Sequence, residues 1–364
     1  MNKLSDIRKK VLIYRHGSIG DTIMALPSFH KIREHYPDAD IVLLTNRPFT
    51  VKEAPLEFIL GKGYFFNQAV AYPGATRNLM AILRLLIKLW RMRFDVVIDL
   101  TVSRTPNRVS RDLLFFKLAG IKEFIGFPMN DEHLQRLTDP ETGQIEWEAK
   151  RLAKRIAALG PVDLSNSAYW DLRLSDAELK QAEQCLSALT SQPILALSLG
   201  TKAESKNWEL TNWLTLLTKL RHSLSTWNLL VIGSADEAHD ADKCLEAWQG
   251  AGINLCGKTS ARVSAAILKR CTLFVGHDSG PMHLAGCVGT PCVAVFSAQN
   301  LPGQWFPRGT KNRILYKQTD CAGCGLTVCI EQKKRCILSI TVQDVEAAVL
   351  QVAASVSAKT NIVC

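Results

Sequence analysis

The sequence predicts an α/β fold of two Rossmann-like domains, each a doubly wound parallel sheet wrapped by helices. Short apolar runs alternate with amphipathic helical patterns along the chain, which is typical of such sheets. The 364 residues are 47% hydrophobic, enough for two domains that each have a core. The pattern recurs as two α/β sets, so we predict domains at residues 1–175 and 176–340 and a C-terminal helix at 341–364.

The first domain opens with a βαβ unit. The apolar run VLIY at 11–14 predicts a buried strand, and the turn RHGSIGD leads into a helix that begins at about Asp21. A second strand follows at 41–45. Gly17 and Gly20 have the spacing G-x-x-G rather than G-x-G-x-x-G, which does not favour a dinucleotide site.

Residues 79–93, LMAILRLLIKLWRMR, predict an amphipathic helix with Arg84, Lys88 and Arg91 along one face. Two interpretations stay open for this helix. It could pack on the core with a solvated basic edge, or it could contact a membrane surface.

A polar loop, TVSRTPNRVSRD, is predicted after the next strand, FDVVIDL at 94–100. It carries Arg104, Arg108 and Arg111 at the carboxyl end of that strand. Three arginines at this place could clamp carboxylates or phosphates. The alternative is a solvated charged loop.

The second domain repeats the alternation and contains the stretch that is richest in candidate site residues. Strand LFV at 273–275 is followed by Asp278, Ser279 and Gly280, with His283 one turn further on. Ligands of α/β sheets bind at the carboxyl ends of the strands, and a glycine-containing turn into a helix can offer N–H groups to a phosphate. The alternative is that Ser279 or Asp278 is an N-cap and His283 a core histidine.

Composition narrows the partners and the compartment. The formal charge of +10 and the pI near 9.1 suit a nucleotide diphosphate, an acidic glycan, an anionic membrane or a nucleic acid. Nucleic acid is the least favoured, because no zinc-finger, helix-turn-helix or aromatic-rich RNA-binding pattern occurs. The N-terminus lacks a secretory apolar region and no run approaches the ~20 apolar residues of a membrane span, so we expect a cytosolic protein.

Eleven cysteines in a reducing compartment favour free thiols or a metal over disulfides. Four of them cluster in CAGCGLTVCIEQKKRC: Cys321, Cys324, Cys329 and Cys336. This spacing is compatible with a structural zinc site or with four reduced cysteines packed in a loop.

Three separated segments resemble glycosyltransferase family 9, the heptosyltransferases of lipopolysaccharide core synthesis. They are GSIGDTIMALPSFHKIRE at 17–34, GTKAESKNW at 200–208 and DSGPMHLAGCVGTPCVAVF at 278–296. The resemblance implies a GT-B fold with the active site in the cleft between the domains. It also implies inverting transfer from a nucleotide sugar without a catalytic metal.

The resemblance assigns roles to individual residues. It makes Asp21 the general base, with the alternative that Asp21 only caps its helix. It assigns donor binding to Thr201, Lys206, Asp278, Ser279, Gly280 and His283. Asp236 or Glu237, after the strand WNLLVIG, is placed to accept hydrogen bonds from a ribose. We expect Gly20, Arg104, Arg108 and Arg111 to bind the acceptor. Members often have Lys-x-Trp-Pro in the middle segment, whereas this chain has Glu209 in place of the proline. By analogy, the helix at 341–364 is expected to cross back to the first domain.

The function that we expect is transfer of a sugar, heptose from ADP-heptose, onto a lipopolysaccharide core acceptor. The enzyme would work in the cytoplasm, with peripheral contact to the anionic inner membrane, and would need no cofactor for catalysis. Two alternatives stay open: a GT-B sugar-nucleotide epimerase, and a nucleotide-sugar-binding protein without transfer activity. Asp21 separates them, because the donor half alone would serve a binder.

Overall fold

The computed structural model describes residues 8–47, 55–73, 78–102, 105–128 and 137–360. The chain forms two compact units. The first contains residues 1–139 and 146–173, and the second contains residues 140–145 and 174–364. Residues 140–145 thus belong to the second unit although the first unit surrounds them in sequence, and Ile145 N donates a hydrogen bond to Pro302 O at 2.8 Å.

The first unit is built on a five-stranded sheet with the order β3-β2-β1-β4-β5, in which every pair is parallel. Its strands are β1 (Lys10–Tyr14), β2 (Asp40–Arg47), β3 (Gln68–Pro73), β4 (Val96–Asp99) and β5 (Glu123–Ile125). Its helices are α1 (Ile19–His35), α2 (Leu56–Leu60), α3 (Leu79–Met92), α4 (Pro106–Leu118) and α5 (Glu148–Arg155). The central residues of these strands are mostly apolar, which is typical of a parallel sheet with both faces covered.

The second unit is built on a six-stranded parallel sheet with the order β11-β10-β9-β6-β7-β8. Its strands are β6 (Ile194–Ser198), β7 (Asn228–Val231), β8 (Gly252–Asn254), β9 (Leu273–His277), β10 (Cys292–Phe296) and β11 (Arg313–Tyr316). Its helices are α6 (Asp176–Leu186), α7 (Leu210–Ser223), α8 (Ala238–Trp248), α9 (Ala261–Leu268), α10 (Gly280–Cys287), α11 (Arg335–Leu338) and α12 (Val342–Thr360).

The C-terminal helix α12 packs against α7 and strands β9 to β11. Val345, Val349 and Val352 are buried in the core that this unit builds around Trp208 and Trp213. The C-terminal helix, for which a crossing back to the first domain is expected by analogy, thus contributes to the core of the second unit.

Both sheets have the same strand order around their first strand. In each sheet, the second and third strands extend one side of the first strand, and the fourth and later strands lie on its other side. The connections that leave β1 and β4 therefore run in opposite directions, and so do those that leave β6 and β9. Such a switch point opens a crevice at the carboxyl ends of the two central strands. The predicted residues Asp21, Lys206 and Asp278 all follow these strands.

Two local predictions need correction. Arg108 and Arg111 lie on α4 rather than in a loop, because Thr105 is the N-cap and Pro106 begins the helix. Helix α3 packs on the core through Leu85, Leu86, Leu89 and Met92, as the first interpretation expects, but it also exposes a second set of apolar side chains that this interpretation did not include. Within the described ranges, no helix is long and apolar enough to span a bilayer.

Candidate active site

Lys206, Asp278 and His283 form a compact charged cluster at the switch point of the second sheet. Lys206 Nζ donates to Asp278 Oδ2 at 2.6 Å, and His283 Nε2 lies 3.7 Å from Asp278 Oδ1. Lys206 follows β6 and Asp278 follows β9, and these strands are neighbours in the sheet. The structure thus brings together three residues that are separated by up to 77 positions in the sequence, from 206 to 283.

The carboxylate of Asp278 is kept ionised in this cluster. Burial alone would raise its pKa, but the charge of Lys206 and the nearby imidazole of His283 outweigh burial and lower the pKa to about 2. The side chain of Asp278 is 6% exposed and that of Lys206 is 17% exposed. Asp278 therefore holds the Lys206 ammonium in place, while part of the Lys206 side chain stays exposed to solvent.

Helix α10 begins beside this cluster. Ser279 is its N-cap, yet the Ser279 hydroxyl makes no capping bond and has no hydrogen-bond partner among the described residues. Pro281 has no N–H, and the amides of the first turn have no intrahelical acceptor, which leaves Gly280 and Met282 as donors. A hydroxyl and two backbone amides thus follow directly after Asp278, which holds the Lys206 ammonium. Such donors suit an anionic phosphate.

His277 is a buried residue of this region that the sequence analysis missed. Its Nε2 accepts a hydrogen bond from the backbone N–H of Trp208 at 3.0 Å, so the imidazole is neutral. Burial lowers the pKa of His277 to about 4. The bond ties the end of the Lys206 loop to β9, and Trp208 itself is fixed by a bond from its indole N–H to Ile340 O at 2.7 Å.

The remaining predicted donor residues lie on the adjacent loops. Thr201 Oγ1 donates to Ala203 O at 3.3 Å and so stabilises the loop that carries Lys206. Glu237 accepts a hydrogen bond from Ser234 Oγ at 2.5 Å and lies against Gly200, where a Cβ would approach its Oε1 to 2.1 Å. Asp236 is exposed to solvent. Glu237 is therefore the less exposed of the two acids.

Glu209, which replaces the family proline, has φ +71°. Proline is restricted to φ near −65°, so the helix entry here differs from one that begins with proline. Glu209 pairs with Lys334, whose Nζ also lies 2.8 Å from Glu204 Oε1. The substitution therefore couples the start of α7 to the segment that carries the cysteines.

The cysteine segment, residues 321–336, lies along the Lys206 loop. Ser205 N donates to Thr327 O at 3.0 Å, and Ser205 Oγ donates to Leu326 O at 2.5 Å. The four thiols line one small cavity next to Ser205: Cys321, Cys324, Cys329 and Cys336. Among the described residues, however, no group of three or more His, Cys, Asp or Glu side chains is arranged to hold a metal ion. The thiols as they stand do not form a zinc ligand set.

In the first unit, Asp21 is the third residue of α1 and completes a capping box. Its Oδ2 accepts hydrogen bonds from Ser18 N and Ser18 Oγ, both at 2.8 Å. Gly17 has φ +135°, and a Cβ there would lie 2.5 Å from Asp21 Cβ, so the turn requires glycine. Asp21 Oδ1 makes no such bond and lies 3.8 Å from Arg15 Nη2. The cap occupies one oxygen of the carboxylate and leaves the other available.

Arg15 belongs to a buried charge network that the sequence did not reveal. Its guanidinium donates to Leu100 O and to Asp21 O, and it is fully buried. Arg151 and Arg155 of α5 both donate to Thr101 O, at 3.2 and 2.6 Å. Their partners Glu148 and Asp99 are also buried. Three arginines thus fix the carboxyl end of β4 beside Asp21.

The predicted acceptor residues are dispersed in the first unit. Gly20 is buried within α1. Arg108 is exposed on α4, and Arg111 is bonded to the neighbouring Asp112 at 2.9 Å. That hydrogen bond raises the pKa of Arg111. Arg104 lies outside the described residues.

Comparison with known proteins places this architecture among related chains. A family model described as glycosyltransferase family 9 (heptosyltransferase) matches residues 82–335. The chain is 23% identical over 337 residues to lipooligosaccharide heptosyltransferase 2 of Campylobacter jejuni, and the match covers 90% of this chain and 93% of that protein.

Solved structures show the same fold. The glycosyl transferase family 9 protein from Veillonella parvula is similar with a TM-score of 0.71 and 17% identity, covering 96% of this chain and 99% of that one. The ADP-heptose heptosyltransferase II of Escherichia coli is similar with a TM-score of 0.62 and 19% identity, covering 95% and 99%. The predicted fold class, GT-B with two Rossmann-like parallel-sheet domains, is confirmed.

Proposed function

The chain belongs to glycosyltransferase family 9 and is a glycosyltransferase, and from this premise we propose that it transfers heptose from ADP-heptose onto a lipopolysaccharide core acceptor. The names of the similar proteins support heptose as the sugar and ADP as the nucleotide of the donor. Family membership favours transfer over the two alternatives, an epimerase and a non-catalytic binder. The proposed place of action is the cytoplasmic face of the inner membrane.

The observation that carries the donor assignment is the Lys206–Asp278–His283 cluster beside the start of α10. A diphosphate leaving group gains negative charge as the sugar–phosphate bond breaks, so fixed donors aimed at it lower the barrier. Lys206 supplies a positive charge held by Asp278, and Ser279 with the first amides of α10 supplies neutral donors. These groups suit a reaction in which protein donors, rather than a catalytic metal, stabilise the leaving ADP.

Asp21 is the proposed general base of the inverting displacement. An acceptor hydroxyl attacks the anomeric carbon from the face opposite the diphosphate, and its proton passes to the carboxylate of Asp21. The new glycosidic bond forms as the bond to the ADP oxygen breaks, which inverts the configuration. In support, Oδ1 of Asp21 is not used by the capping box, and Arg15 and the backbone N–H of Ser18 hold the carboxylate in one orientation.

The test of the function is release of free nucleotide from a panel of nucleotide sugars, with and without deacylated core oligosaccharide. We expect ADP release from ADP-heptose that depends on the oligosaccharide, together with a product whose mass has grown by one heptose. Turnover of another nucleotide sugar with the same acceptor would change the donor assignment. A nucleotide sugar that is epimerised without any acceptor would contradict the proposal.

Arg108 and Arg111 are proposed to contact the anionic groups of the acceptor. The planar guanidinium fork fits carboxylates and phosphates, and both residues follow β4 of the first unit. Replacing either one by alanine should raise the acceptor KM, by a factor that corresponds to a loss of about 1.5–3 kcal/mol of binding free energy, while donor affinity stays unchanged. Lys117→Ala, an exposed change on the same helix, is the control. Unaltered acceptor dependence in both arginine variants would refute the assignment, and the solvated alternative would stand.

A further inference from the structure

Helix α3 exposes a continuous apolar face to solvent. Its large exposed side chains are Leu79, Met80, Leu83, Ile87 and Trp90. Leu79, Leu83, Ile87 and Trp90 follow one another at intervals of four, four and three residues, so they lie on one side of the helix. Leu79 is 81% exposed and Trp90 is 61% exposed. Burial in the core of the unit does not account for these side chains.

The helix has three distinct sectors. Leu85, Leu89 and Met92 face the core of the first unit. The exposed apolar residues occupy a second sector, and Arg84, Lys88 and Arg91 form a third, which borders the apolar one along the length of the helix. A helix with an apolar face flanked by cations is typical of segments that lie in the plane of a lipid–water interface.

Helix α4 extends the same surface. It contacts α3, and its Leu114 and Leu118 are 58% and 60% exposed. Trp90 lies beside Gly120, which follows the end of α4. We call these seven apolar residues of α3 and α4 the lipid face: Leu79, Met80, Leu83, Ile87, Trp90, Leu114 and Leu118.

We propose that the lipid face docks this protein on an anionic bilayer, with its apolar side chains among the acyl chains and Arg84, Lys88 and Arg91 at the phosphates. The charge of the third sector selects an anionic lipid surface over an apolar protein partner, which would leave these cations without counter-ions. Trp90 suits the level of the headgroups. This surface would give the proposed transferase its membrane contact and in that sense rests on the proposed function.

Co-sedimentation with vesicles tests the proposal without donor or acceptor, so its failure would leave the transfer reaction untouched. We expect the full chain to bind vesicles of phosphatidylglycerol and phosphatidylethanolamine, and to bind phosphatidylcholine vesicles much less. The double variant Leu83→Ser, Trp90→Ser should bind at least about tenfold more weakly, since each removed side chain loses its transfer into lipid. Phe58→Ser, which removes another exposed aromatic ring of the first unit, is the matched control.

A second pair of variants tests the charge. Arg84→Ala, Lys88→Ala should weaken binding at low salt, and the difference from the wild type should shrink as salt screens the surface. Lys150→Ala, Lys180→Ala, which removes two exposed lysines elsewhere, should bind as the wild type does. Thermal unfolding of every variant checks folding. If the double variant Leu83→Ser, Trp90→Ser is unstable, the single change Leu79→Ser replaces it in the vesicle test.

Three results would overturn the proposal. The wild type could fail to bind anionic vesicles, or the lipid-face variants could bind them as tightly as the wild type does. In the third, the wild type would not bind vesicles, and sedimentation velocity would show that it forms a dimer. The double variant Leu83→Ser, Trp90→Ser would then be a monomer. The face would then join two copies of this chain.

Discussion

At the scale of single residues, Asp21 caps its helix with one carboxylate oxygen and keeps the other available for the proposed role as general base. Its Oδ2 completes the capping box with Ser18, and its Oδ1 stays available near Arg15. Asp21→Asn keeps an oxygen for the cap but cannot take a proton. We therefore expect transfer to fall ~100-fold or more while ADP affinity changes only a few fold.

Ser18→Ala is the matched control for Asp21. It removes the capping hydroxyl and leaves the carboxylate, so it should lower the free energy of unfolding by about 1 kcal/mol and leave turnover nearly unchanged. Steady-state kinetics and chemical denaturation of both variants decide the question. If Asp21→Asn retains wild-type turnover, Asp21 is only a cap.

Lys206 is expected to bind the diphosphate directly. Lys206→Ala should weaken ADP binding at least about tenfold, because a charge-assisted hydrogen bond is lost, and turnover should fall further as charge grows on the leaving group. Isothermal titration with ADP measures the first effect. Lys202→Ala, an exposed change in the same loop, controls for general charge. Unchanged affinity for ADP, GDP and UDP would put the phosphate site elsewhere.

His277 predicts a specific dependence of stability on pH. Its pKa is about 4 in the folded chain and 6.5 ordinarily, so the unfolded chain binds the proton more readily. The stabilisation is complete above pH 6.5 and is lost as the pH falls from there towards 4. Between pH 7 and 5 the wild type should lose about 2 kcal/mol of unfolding free energy more than His277→Gln, in which residue 277 no longer titrates.

Chemical denaturation at the two pH values measures this difference for His277. The exposed His239→Gln should behave as the wild type does. Equal pH dependence in the wild type and in His277→Gln would contradict a neutral, buried imidazole at this position.

The sequence revealed some site residues and concealed others for a physical reason. Lys206 and the Asp278-to-His283 turn stand in local patterns of glycine and polar residues, which sequence reasoning can read. The roles of Arg15, Arg151 and His277 depend instead on partners far along the chain, such as Trp208 for His277. No local pattern marks a residue whose function is to hold a distant backbone.

At the scale of elements, the cysteine segment supports the loop that carries Lys206. Lys334 is buried between Glu204 and Glu209, and these ion pairs raise its pKa although burial opposes them. Lys334→Ala should lower the free energy of unfolding by about 2 kcal/mol and weaken ADP binding, because the Lys206 loop loses a tie. Lys333→Ala, an exposed change at the neighbouring residue, should do neither. ADP affinity that stays at the wild-type value in Lys334→Ala would contradict this coupling.

Elemental analysis of protein purified without chelator decides between the two alternatives for the cysteines. About one zinc per chain would mean that the four thiols close around an ion, which requires them to move together. A protein free of metal with four titratable thiols in residues 321–336 would match the arrangement found in the structure.

Helices α3 and α4 show where the sequence pattern stopped being sufficient. Periodicity correctly predicted an amphipathic α3, but its apolar residues fill two sectors, and only packing against the sheet decides which sector is buried. For α4, the Thr105-Pro106 start signal was present. The density of arginines and polar residues concealed it and favoured a loop.

At the scale of the whole molecule, the alternation of apolar runs and helical patterns was enough to predict two doubly wound sheets. The β-strand sequences are apolar because both sheet faces are covered, and this property is local. The strand order is not local, since it depends on which strands pair across long connections. The identical order around β1 and β6 is therefore a result of the structure alone.

The path of the chain at residues 140–145 has a consequence for protein engineering. Exchange of the second unit with that of a relative, at a single junction after Arg173, would leave these six positions from the wrong parent against Pro302. A functional chimera therefore needs two grafts, the C-terminal portion and this short insert. The proposed donor site of the second unit could then be exchanged between parents while the first unit is kept.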